Sequence, residues 1–292
     1  MKIILLALLA GVLAITCPTC QGQEKGDISF AVKKEGKGRA ILFIPGLYCS
    51  GEVWSETVAH FKNRYECHTI TLPGFAGQPP LAPDSILQTV VNQLALYVRR
   101  NKLVKPVLVG HSLGGCVALA FGIRYPELAG DIVCVSSAPF LPALSMGAGI
   151  TMDSSRNIGM RIKQAMITQT PAQVRQYQQY MLGTMIRDSA KIAMVTEMAV
   201  RSDPATQGEV MYELFSTDLR PALAAVQSRI LVTADWSAYK QYGATHESVY
   251  TNLKAQYSNA GRVTIVVNDA SKHFIMFDEP AWLWREMEAF LK

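Results

Sequence analysis

Residues 107–114, Val-Leu-Val-Gly-His-Ser-Leu-Gly, leave this chain little freedom in how it folds. A short apolar, β-branched run meets a glycine-flanked serine and then, without a polar loop, an apolar helical stretch at 117–125. A strand buried on both faces must therefore turn straight into a helix. The turn is so sharp that the serine takes a strained backbone, and Gly110 and Gly114 let it close because they carry no side chain. A strand that leaves through a helix belongs to a parallel sheet, whose strands need crossover connections.

The rest of the chain repeats this alternation. Strands are expected at 28–33, 39–44, 65–72, 106–109, 131–136, 229–233 and 262–267. Helices are expected at 54–61, 85–100, 117–125, 247–257 and 282–291, the last with Asp278 as N-cap and Pro280 near its first turn. Within 85–100, Ile86, Val90, Val91, Leu94 and Val98 fall on one helical face. The expected fold is α/β, a mainly parallel sheet flanked by helices on both faces. Residues 140–223 break the alternation with helical patterns only, which reads as a helical cap inserted in the domain spanning 23–292.

Composition narrows the class. Hydrophobic residues make up 49% of the 292 and charged residues 17%, as in ordinary globular domains. The formal charge of +5 comes from scattered residues with no basic run, so no nucleic-acid partner is expected. Lys2 and the uncharged apolar residues 3–15 have the form of a secretory signal peptide covering 1–22, too short to span a bilayer comfortably. Export to a periplasmic or extracellular space is expected, with no stable membrane span once the leader is removed. A lipid anchor would use Cys17, but Thr16-Cys17 fits that signal poorly. Cys17 and Cys20 fall in the leader, which leaves Cys49, Cys67, Cys116 and Cys134. Four cysteines do not make a disulfide scaffold; Cys116 and Cys134 read as buried, and pairing of Cys49 with Cys67 stays open.

Gly110-His-Ser-Leu-Gly114 matches the G-x-S-x-G pattern in the strand-to-helix context that the pattern requires. With Phe43-Ile-Pro-Gly46, Leu72-Pro-Gly-Phe-Ala-Gly77 and the late His273, it makes the chain resemble the α/β-hydrolase fold superfamily over nearly all its mature length. The resemblance implies Ser112 as nucleophile and His273, shortly after the last strand, as its base. His60, His68, His111 and His246 are expected in structural positions. Oxyanion donors are expected in the backbone N–H of Leu113 and of Leu47, with Tyr48 the other choice for the second.

The acid departs from the family pattern. Its usual position after the penultimate strand holds Ser237; Asp235 stands two residues earlier. Asp203 is the alternative, although Asp before Pro204 is also a good helix cap, and Asp269 near His273 is a further carboxylate. The other family placement, after the strand ending at Ser136, offers only Ser136-Ser-Ala138, so another residue or none stays open. The cap holds nine methionines (Met146, Met152, Met160, Met166, Met181, Met185, Met194, Met198 and Met211), which favour an apolar pocket.

Together these residues imply an exported serine hydrolase acting on a small apolar ester or related acyl compound. Neither metal-ligand spacing nor a P-loop is present, so neither metal nor cofactor is expected. Two rivals share the motif set: a non-catalytic ligand-binding protein on the same fold, and another serine-nucleophile reaction such as perhydrolysis or carbon–carbon bond hydrolysis.

Overall fold

The computed structural model describes residues 27–81, 85–147 and 149–292; the expected leader lies outside them. Seven strands, β1 (Ala31–Gly36), β2 (Arg39–Ile44), β3 (Tyr65–Thr71), β4 (Val107–His111), β5 (Ile132–Val135), β6 (Ile230–Asp235) and β7 (Val263–Asn268), form one sheet. Their order is β1-β3-β2-β4-β5-β6-β7. β1 pairs antiparallel with β3, and every other pairing is parallel. This is the α/β architecture expected from the sequence.

Along the chain the helices are α1 (Ser55–Phe61), α2 (Ile86–Arg100), α3 (Leu113–Arg124), α4 (Leu141–Met146), α5 (Met152–Ile167) and α6 (Pro171–Met185). α7 (Ser189–Val200), α8 (Pro204–Ser216), α9 (His246–Gln256), α10 (Ile275–Asp278) and α11 (Pro280–Leu291) follow. Successive residues of a strand point to opposite faces, and β2 uses both. Leu42 and Ile44 join the core on one face with Val90, Leu94 and Phe121. Ile41 and Phe43 join the core on the other with Trp54, Phe61 and Met287. Burial on both sides explains why β2, β4 and β5 are continuous apolar runs rather than alternating ones.

Helices α4 to α8 fill the chain between β5 and β6. The four longer ones each start at a side-chain cap. Thr151 accepts from Ser154 N–H, Thr170 from Gln173, Asp188 from Ala190 and Lys191, and Asp203 from Thr206. These bonds satisfy donors that a helix start otherwise leaves open.

Several expected boundaries move. The helix expected from 117 starts at Leu113, the last helix starts at Pro280 rather than 282, and the first strand runs on to Gly36. The first strand begins at Ala31 rather than residue 28, because Ser29 N–H donates to the Gln93 side chain of α2 at 3.1 Å instead of to β3. Asp278 does not cap the last helix: Glu279 is its N-cap residue. The Asp278 carboxylate instead accepts from the N–H groups of Lys272 and Arg187, at 2.9 and 3.1 Å.

Candidate active site

Ser112 sits between β4 and α3 with φ 50° and ψ −114°, a backbone region that side chains rarely occupy. Its surroundings hold it there. Ser112 N–H donates to Val135 C=O at 2.9 Å, and its own carbonyl accepts from Gly115 N–H at 3.0 Å and Ser137 Oγ at 2.7 Å. The two glycines are obligatory for space. A Cβ on Gly110 would stand 2.1 Å from Gly114 O, and one on Gly114 would stand 2.2 Å from Ile44 O. Leu113 is the first residue of α3, so its N–H is among the donors a helix start leaves unpaired.

His273 is fixed by its main chain more than by its ring. Asn268 Oδ1 accepts from Ala270 and Ser271 N–H at 2.8 and 2.6 Å, which folds the loop after β7 tightly. Ser237 Oγ donates to Ser271 C=O at 2.6 Å, and His111 Nε2 donates to His273 C=O at 3.1 Å. The His111 and His273 rings lie 4.9 Å apart, and Phe274 covers His111 at 4.5 Å. Burial, reinforced by the neighbouring His273, holds His111 well below the ordinary imidazole range. His111 is therefore neutral and serves as a strut for the His273 loop.

Among the candidate acids, Asp235 is the one brought to His273. It closes β6 opposite Asn268, is buried, and its Oδ1 lies 3.7 Å from His273 Nδ1. That separation exceeds a hydrogen bond, and neither His273 Nδ1 nor Asp235 Oδ2 has a hydrogen-bond partner among the described residues. Catalytic contacts are often this long before substrate arrives. Asp203 is used elsewhere, its Oδ2 accepting from Thr206 N–H and Oγ1, both at 2.7 Å. Asp269 is exposed and takes His246 Nδ1 and Trp236 Nε1, at 2.7 and 2.9 Å. Ser237 occupies the usual acid position but works as the loop tie described above.

The other histidines are likewise engaged away from Ser112. His60 stacks on Trp284 and contacts Glu288; buried His68 meets the Tyr97 hydroxyl at 2.7 Å.

Ser112 and His273 open into a cavity of 230 Å³. Leu47 and Tyr48 line it, in a turn closed by Cys49 N–H to Gly46 C=O at 3.2 Å. Tyr48 has φ 68° in that turn, a position that ordinarily calls for glycine. Residues of α6 and α8 line it too, including Met181, Met185 and Met211, three of the nine methionines within residues 140–223. Met146 and Met160 are exposed instead, and Met198 packs in the core. No Asp, Glu, Lys or Arg lines the cavity among the described residues.

Sequence reasoning missed Gln178 and Tyr239, which also line this space. The Tyr239 ring stands edge-on to His273 at 6.4 Å, and burial together with the Asp235 charge pushes its hydroxyl above the ordinary tyrosine range. Neither residue belongs to a motif; the cap fold alone brings Gln178 near Ser112.

Known proteins agree with this architecture. Pimeloyl-(acyl-carrier protein) methyl ester esterase of Aeromonas hydrophila subsp. hydrophila is 32% identical over 123 residues, covering 42% of this chain and 47% of that one. The chain thus spans about half the length of that curated relative. The enzyme of the same name from Edwardsiella ictaluri is 25% identical over 251 residues, 83% of this chain and 90% of that one. Among solved structures, an esterase from Thermogutta terrifontis has a TM-score of 0.74 at 15% identity, covering 90% of this chain and 92% of that one. MenH from S. aureus has a TM-score of 0.73 at 15% identity, with 90% and 97% covered. A family model covers residues 41–286, from the middle of β2 into α11 and so across the turn at Ser112, the His273 loop and helices α4 to α8, and by that match the chain belongs to the alpha/beta hydrolase family.

Proposed function

We propose that this protein is an exported serine esterase that hydrolyses a carboxylic ester, or a related acyl bond, of a small apolar compound. The observation that carries the reading is that Ser112 and His273 line one cavity, with Asp235 3.7 Å from His273, and that no Asp, Glu, Lys or Arg lines that cavity among the described residues. Ser112 Oγ attacks the acyl carbon as His273 takes its proton, and the N–H groups of Leu47 and Leu113 receive the oxyanion. His273 returns the proton to the departing alcohol. Water, deprotonated by His273, then cleaves the acyl-enzyme and restores the serine. Asp235 holds the imidazole in the tautomer that faces Ser112 and stabilises the imidazolium.

The curated relatives are named for a methyl ester of an acyl group, which supports an ester as the bond cleaved. The uncharged lining supports a neutral acyl group, since a buried carboxylate needs a partner. Export rests on Lys2 and the apolar residues 3–15.

The 3.7 Å gap between Asp235 and His273 favours one second reading, a ligand-binding protein with an unactivated serine. Initial rates on p-nitrophenyl esters from acetate to octanoate, with fluorophosphonate labelling, separate the two. An esterase hydrolyses the esters and labels at Ser112, and the Ser112→Ala chain does neither. A binding protein gives no turnover and no labelling.

A further inference from the structure

The cavity at Ser112 has a neighbour. A second cavity of 290 Å³ lies between α2, α3 and α8, and Leu141 and Leu214 line both. Its inner surface is aliphatic: Leu87 and Val91 come from α2, and Val117, Ala120 and Ile123 from α3. Because α3 starts right after Ser112, Val117 and Ile123 stand roughly 8 and 17 Å along that helix from the serine. The second cavity therefore continues away from the reacting atoms instead of widening the space around them.

Apart from Ser85, the Cys116 thiol, Glu213 and the rim, the lining of the second cavity is apolar. Both carboxylate oxygens of Glu213 already accept from the N–H groups of Ile86 and Leu87, each at 2.7 Å, so the carboxylate is partnered by the start of α2. Gln88, Arg124 and Thr217 form an exposed rim at which the cavity reaches solvent.

We propose that the second cavity is the chamber for the distal part of an acyl chain. Leu141 and Leu214 are the constriction through which a chain bound at Ser112 enters it. The favoured substrates are then esters of aliphatic acids longer than octanoate, whose far methylenes leave water in the second chamber. This rests on the esterase reading above and adds the chain length to it.

The test compares kcat/KM on p-nitrophenyl dodecanoate and butyrate. Ala120→Phe and Ile123→Trp each fill the second chamber from α3, and Leu214→Ala widens the constriction. The dodecanoate-to-butyrate ratio should fall about tenfold or more in either filling variant and rise about tenfold in Leu214→Ala. A ratio within about twofold of wild type in both filling variants, with circular dichroism showing them folded, overturns the chamber.

Binding gives a readout free of turnover. In a Ser112→Ala background, cis-parinaric acid should bind at least about fivefold more weakly when Ala120→Phe is added. Ester hydrolysis with a ratio and a Kd indifferent to Ala120→Phe keeps the esterase and discards the chamber. Absence of hydrolysis with a Kd that responds to Ala120→Phe discards the esterase and keeps the chamber as a fatty-acyl site.

Discussion

At Ser112 the chain holds a φ of 50° with no glycine to relieve it. Such a conformation costs roughly 1–3 kcal/mol, more than the roughly 0.5–1 kcal/mol that glycine forfeits in chain entropy. Ser112→Gly should therefore raise Tm while abolishing ester turnover, whereas Ser112→Ala should abolish turnover with Tm nearly unchanged. Calorimetry beside initial rates reads both. Asp235 and Asp203 separate at the same scale. Asp235→Asn should lower kcat by about 10⁴-fold by disturbing the His273 tautomer. Asp203→Ala should cost about 0.5–2 kcal/mol of stability through the lost cap, with kcat within a few-fold of wild type. A comparable kcat loss in Asp203→Ala would move the acid to the cap. His111 links the site to pH. Burial lowers its folded-state pKa below the ordinary 6.5, so its contribution to stability is complete above that value and is lost as pH falls below it. His68, also lowered chiefly by burial, acts in the same direction. His111→Asn should flatten the fall in Tm between pH 7 and pH 5; an unchanged slope would leave His68 or other groups responsible.

Between elements, the cap is joined to the sheet domain by polar bonds as well as apolar packing. Asp203 N–H, at the start of α8, donates to Gly74 C=O at 2.7 Å, and Ala76 N–H donates to Ser202 Oγ at 2.8 Å. Further along α8, Glu213 reaches across to take the first two N–H groups of α2. A helix start presents unpaired donors and a partial positive charge, so a carboxylate answers both needs, and burial still drives the Glu213 pKa upward. Glu213→Ala leaves two buried N–H groups without a partner and should cost about 1–3 kcal/mol. Urea unfolding should show the loss as a lower midpoint with little change in slope. A cost below about 0.5 kcal/mol would mean that water replaces the carboxylate there.

Across the whole molecule, the two cores and the sheet between them sequester the thiols. Cys49, Cys67, Cys116 and Cys134 are free and buried, and burial pushes each thiol up to about 12. The pairing of Cys49 with Cys67 left open by the sequence does not form. Ellman's reagent should find almost no reactive thiol in the native protein. After denaturation it should find four in a chain cleaved after residue 22 and six in one that keeps its leader, because Cys17 and Cys20 account for the difference. Rapid reaction of the native protein would contradict the burial. The sheet and its helices were legible in the sequence because burial on both faces, helical periodicity and the glycine-flanked serine are local patterns that one architecture satisfies at once. Ser112 and His273 were legible for the same reason, each lying just past a recognisable strand. Asp235 is a candidate from its place at the end of a strand, but that it, rather than Asp203 or Asp269, is the one beside His273 was not legible. Which carboxylate meets an imidazole depends on β6 pairing with β7 and on how the loop from Asn268 to His273 folds, and residues 38 apart in the chain carry no local sign of that meeting. Nor could any local pattern show Leu141 and Leu214 shared between two cavities, since that juxtaposition exists only once α4 has packed on α8 and α8 on α2.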